Sequence, residues 1–325
     1  MKRYIVLCST LALLSGCASH TPLDEAHVEL DLRQLPPPDT TLQIAGLGPC
    51  TDNPDRSLHL DSQQPVNVLV HGCFGSSGQF LGLAQVLAFH GQQTACFTYD
   101  DRAELTRSAT DLRRAIDQLA EYSRAPQITL IGHSQGALIA RKSVTELPQT
   151  PLDLPGELRL VTISGPFSGI AAAATCGQTW LYPLTLGLLP LSCHAATGAK
   201  WADITYSSRF IREPGSLLPQ VGNYLKIDTD ERNSCRQEKN GRCVESDDVF
   251  ALAEQRNSVV ESDSRTRRVE VRAGHVEIVG DKHSAPEKLI AVLQEQGVIR
   301  PTAPEKRAAF RRLLAFEYRV SRGGN

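Results

Sequence analysis

The sequence has little net charge and little apolar length. Its 325 residues set 34 Lys and Arg against 36 Asp and Glu, a formal net charge of −2. That balance excludes the basic surface of a nucleic-acid groove and the acidic excess of a disordered chain, so no nucleic-acid partner is expected. The apolar run near the start, Tyr4 to Leu14, is about half of the roughly 20 residues that cross a bilayer, which argues against a spanning helix there. No internal repeat is visible. A globular chain of this length has room for one large domain.

The first residues read as an export signal: Met1-Lys2-Arg3, the apolar run, then the small residues Ser15-Gly16 before Cys17. Leu14-Ser15-Gly16-Cys17 resembles a bacterial lipobox, the alternative being an ordinary secretory signal with an incidental Cys. The resemblance implies that residues 1–17 are a signal peptide, that Cys17 is acylated and that it anchors the protein to a membrane. Several acyl chains on one residue hold stably where one would not. Ala18 and Ser19 follow, with no Asp, which in lipoproteins of this type implies the outer membrane of the cell envelope. Nine Cys also fit an exported chain, where disulfides persist. With Cys8 removed and Cys17 acylated, seven remain. Cys235 with Cys243 and Cys176 with Cys193 each bracket a loop-like segment. Cys50 with Cys96 is a third pairing, and it leaves Cys73 over.

Residues 18–45 carry Pro36-Pro37-Pro38 and little apolar periodicity, and are expected to form a tether. Beyond it, strand-like runs at Val66–Val70, Gln93–Tyr99, Ile128–Ile131, Leu158–Ser164, Tyr224–Ile227 and Val269–Val271 alternate with helical patterns at Gln79–His90, Glu104–Tyr122, Gln135–Leu147 and Pro286–Gln296. This alternation predicts an α/β domain over 46–300, a mostly parallel sheet with helices on both faces. Residues 165–222 break the pattern with apolar stretches too long for a plain connection, and are read either as a cap or lid over the site or as extra core helices. The basic tail 301–325 has an amphipathic stripe at Phe310, Leu313, Leu314, Glu317 and Val320, which could pack on the domain or lie on an anionic membrane.

A serine hydroxyl is a weak nucleophile unless it is held against a base and turned away from the backbone. Ile128 to Ile131 followed by Gly132-His133-Ser134-Gln135-Gly136 and then Ala137 to Ala140 reads as strand, sharp turn and helix, with Ser134 at the apex. Gly132 and Gly136 are expected because a side chain at either would collide inside the turn. Gln135, at the helix N-terminus, is placed to donate its amide to a developing oxyanion.

Together with His71-Gly72-Cys73-Phe74-Gly75 after the first strand, this turn resembles the α/β-hydrolase superfamily and, within it, bacterial lipases and esterases. The likeness runs over about residues 64–297. It implies that the backbone of Cys73 supplies the second oxyanion amide, with His71 a shaping residue. In this superfamily the acid and then the base follow the serine. His275, after the last strand, is the expected base, with His283 as competitor. Ser246-Asp247-Asp248-Val249 resembles the step that carries the acid, which makes Asp247 the choice ahead of Asp248, Asp228 and Asp230.

The expected activity is hydrolysis of a lipid or other hydrophobic ester by Ser134, His275 and Asp247, a chemistry that needs no metal and no cofactor. Acyl transfer to an alcohol by the same residues, and non-catalytic binding of a lipid or partner, are the alternatives.

Overall fold

The computed structural model describes residues 35–73, 75–146, 156–171, 198–281 and 284–318. Cys17 and its lipobox, Cys176, Cys193, His283 and the centre of the 165–222 insertion lie outside the described residues.

The apolar runs become the strands of one sheet. Short strands β1 (Thr40–Leu42), β2 (Leu47–Gly48) and β3 (Leu58–Leu60) precede β4 (Val66–Val70), β5 (Gln93–Phe97), β6 (Gln127–His133), β7 (Glu157–Ile163) and β8 (Val221–Asp230). A hairpin of β9 (Cys235–Lys239) and β10 (Arg242–Ser246) follows, and then β11 (Thr266–Arg272). The seven-stranded sheet has the order β11-β8-β7-β6-β4-β5-β2, with only β2 antiparallel to its neighbour. All five residues of β4 are buried, as a strand covered on both faces requires. Val66, Val68 and Val70 enter one core with Leu112, Ile116 and Leu119, whereas Leu69 enters a second with Leu83, Leu87 and Leu289.

Two layers of helix close those cores. On one face lie α2 (Leu105–Ser123) and α3 (Gln135–Ser143); on the other lie α1 (Leu81–Phe89), α4 (Glu287–Glu295) and α5 (Arg307–Glu317). This is the α/β architecture, a mostly parallel sheet with helices on both faces, that the alternating pattern predicts. The tail helix α5 takes the packing option: the Phe310 ring lies tilted 5.2 Å from that of Phe89 and Tyr318 lies against Gly82, while Arg307, Arg311 and Arg312 stay exposed.

Three features depart from the sequence-based expectation. Within the expected tether, residues 18–45, Thr40–Leu42 pairs with Leu58–Leu60 and Ile44 is buried. Strands of two and three residues are too short to show a period. The helix after the elbow ends at Ser143, not near Leu147. The third is the β9–β10 hairpin, a segment without a strand-like apolar run. It turns on Asn240-Gly241, both at positive φ, which is the pairing a two-residue hairpin turn demands. Cys235–Cys243 bridges it, and Cys50–Cys96 joins the segment after β2 to β5. Cys73 is in neither bridge.

The register puts Val70 opposite Phe97 and Gly132, and His133 opposite Ile163. The loops after β4, β5 and β6 therefore leave one edge together, beside the strand order's change of direction. If α5 is part of the core, Phe310→Ala should lower the unfolding free energy by about 3 kcal/mol, read by urea denaturation. A loss below about 0.5 kcal/mol would show that the helix is only laid on the surface.

Candidate active site

The corner between β6 and α3 is fixed by close backbone packing. A Cβ on Gly132 would sit 2.4 Å from the Gly136 carbonyl oxygen, and one on Gly136 would sit 2.2 Å from that of Val70. No side chain fits at either place. Between them Ser134 takes φ 56° and ψ −124°, a left-handed backbone costing roughly 1–3 kcal/mol for a residue with a Cβ. Its amide bonds the Ile163 carbonyl at 2.9 Å, and its side chain makes no capping bond to α3. The residue is 6 % exposed.

Gly72 of the β4 loop abuts this corner: a Cβ there would meet the Ser134 Cβ at 3.0 Å. Tyr99 holds the loop from behind, donating its hydroxyl to the His71 carbonyl at 2.7 Å and stacking 4.3 Å from the His71 ring. Gln135, on the other side, donates its side-chain amide to the Asp101 carbonyl at 3.1 Å. Cys73 follows Gly72, which abuts Ser134, and Gln135 follows Ser134 in the chain.

Three histidines surround the corner, and two are committed elsewhere. Burial pushes His71 below the ordinary imidazole range and His133 well below it. His133 donates Nε2–H to the His275 carbonyl at 2.9 Å, so its ring acts on the loop that carries His275. His275 is itself 6 % exposed, with its ring 4.7 Å from His133 and 4.7 Å from Phe250.

The carboxylate on His275 is Glu231. His275 Nδ1–H donates to Glu231 Oε1 at 2.9 Å, which leaves Nε2 as the free acceptor. The Thr229 hydroxyl also donates to Oε1, at 2.8 Å, while Oε2 accepts the amides of Val249 at 2.8 Å and Phe250 at 2.7 Å. Glu231 is 1 % exposed, and four donors compensate its burial.

Asp247, expected on the ring, instead serves the backbone. Its carboxylate accepts the amides of Val276 at 2.9 Å and Glu277 at 2.9 Å, and its carbonyl accepts that of His275 at 2.9 Å. Asp247 therefore shapes the turn that presents His275, with desolvation raising its pKa against those bonds. A Cβ on Gly274 would be 2.0 Å from its Oδ2, which is why glycine precedes the histidine. The other acids are placed elsewhere: Asp228 is buried against Lys226, Asp230 is held below the usual range at about 2 by Arg232, and Asp248 is exposed. Glu231 is the first residue past β8, at the strand-end position where this architecture collects functional groups.

Residues 65–226 match the family model for palmitoyl protein thioesterase. Among solved structures, the mature Bacillus licheniformis lipase BlEst2 superposes with a TM-score of 0.51 at 15% identity, covering 80% of this chain and 98% of that one. Its propeptide form gives 0.53 at 14% identity, covering 82% and 55%. No curated protein matches the sequence.

The strained elbow makes its own prediction: Ser134→Gly should be more stable than Ser134→Ala by about 1 kcal/mol, because only glycine takes this φ without penalty. Equal denaturation midpoints would contradict the turn geometry. With the sheet order, the elbow and the loops that flank it, the chain has the α/β-hydrolase fold and resembles the esterases and thioesterases built on it.

Proposed function

We propose that the protein is a serine hydrolase of hydrophobic esters, including thioesters. The observation that carries it is the buried Glu231–His275 pair, whose imidazole packs 4.7 Å from His133, the neighbour in sequence of a serine held at an otherwise unfavourable φ. Ser134 Oγ attacks the acyl carbon while His275 Nε2 takes its proton. The amides of Cys73 and Gln135 face the oxyanion, where a lost donor costs roughly 10²- to 10³-fold. The tetrahedral intermediate then expels the alcohol or thiol, which leaves with the proton from His275. Water attacks the acyl-enzyme by the same route and releases the acid. Glu231 keeps Nδ1 protonated, so that Nε2 is the basic nitrogen, and Asp247 holds the turn.

A hydrophobic acyl group is favoured by the apolar sequence of the 165–222 insertion, by the thioesterase description of the matching family model and by the lipase neighbours. The lipobox at Cys17 supports an outer-membrane-anchored protein acting near a lipid surface.

Turnover of p-nitrophenyl esters from acetyl to palmitoyl, and of a palmitoyl thioester, tests this. Activity should rise with acyl length, and Ser134→Ala and His275→Ala should lose roughly 10³-fold or more. No turnover of any ester, or turnover that survives Ser134→Ala, would contradict it. Glu231→Gln should lower kcat by roughly 10²- to 10⁴-fold, with Asp247→Asn losing less. The reverse ranking would return the orienting role to Asp247.

A further inference from the structure

We propose that Lys200 is a positioning residue that latches the oxyanion loop, so that the far end of the insertion controls the alignment of the Cys73 amide. The inference rests on the hydrolase reading above and assigns a residue that the triad does not contain. Lys200 lies in the helical turn Ala199–Ala202 and is 1 % exposed. An ammonium so buried is costly unless it is partnered. Its Nζ lies 2.9 Å from Cys73 Sγ and 3.3 Å from Asp101 Oδ2.

The turn that carries it is docked further on the loop after β5 and on the start of α2. Gly198, at φ 83°, packs so closely on Arg102 that a Cβ would be 2.4 Å from its carbonyl oxygen. Asp203 accepts the first amide of α2, that of Leu105, at 2.7 Å. The same loop takes the Gln135 side chain through the Asp101 carbonyl. Both residues whose amides would hold the oxyanion are therefore tied by their side chains to residues 101–102, Gln135 directly and Cys73 through Lys200. Geometry of this kind matters at the level of about 1 Å, where misplacement costs roughly 10²-fold.

An oxyanion forms only after attack, so loosening its donor should lower kcat and leave KM little changed. With a p-nitrophenyl ester, Lys200→Met is expected to reduce kcat about 10- to 100-fold with KM within about threefold. Cys73→Val, which keeps the backbone amide but removes the thiol, should fall in parallel. The double variant should fall no further than the worse single one, because both cut one contact. Cys73→Ser, whose hydroxyl still accepts from Nζ, should recover part of the loss. If Lys200→Met does not fold, Cys73→Val against Cys73→Ser carries the test. An active wild type whose Lys200→Met and Cys73→Val variants keep kcat within threefold, or whose two losses multiply, overturns the latch alone. A wild type without esterase turnover overturns the hydrolase reading and the latch with it.

Discussion

The structure depends on how closely the β6–α3 turn approaches β4. Gly136 packs on the carbonyls of Val70 and His71, and Gly132 packs on Gly136, at distances that leave no space for a methyl group. With both neighbours fixed, Ser134 has to adopt a positive φ at the edge where the loops gather. The unfavourable backbone is retained because two cores, one on each face of the sheet, over-determine the positions of β4, β6 and α3. The same packing places the serine at the N-terminus of α3.

On the other side of the corner, two acids divide the work of presenting His275. The chain leaves β8 at Glu231, makes the disulfide-bridged β9–β10 excursion and returns at Asp247, whose amide bonds the Ser234 carbonyl at 3.1 Å. One carboxylate then takes the imidazole and the other takes the backbone that follows it. Phe250 joins the two functions: its amide binds Glu231 and its ring packs edge-on to His275. His133 completes the support from the elbow side.

Much of this was legible in the sequence where the governing physics is local. The glycines at 132 and 136 announce the turn, and buried parallel strands such as Val66–Val70 announce themselves by continuous apolar residues. His275 could be singled out because it follows the last strand, and the structure pairs its ring with a carboxylate. The acid could not be read the same way, because its identity turns on where β8 ends and which side chains then face inward. The apolar signal stops at Ile227, yet the strand runs on through Asp230, so Glu231 stands at its end. Asp247 does reach His275, as the local motif implies, but only tertiary geometry decides whether it meets ring or backbone. Lys200 gave no signal, since its partners Cys73 and Asp101 are 127 and 99 residues away.

Catalysis by this arrangement requires that Ser134 be the atom that acquires the acyl or phosphonyl group. The most direct measurement is to react the folded protein with a fluorophosphonate carrying a long alkyl chain and to map the adduct by peptide mass spectrometry. The account predicts a single adduct on the peptide containing Ser134, formed far more slowly in Glu231→Gln. An unlabelled native protein, or an adduct confined to another residue, would contradict it.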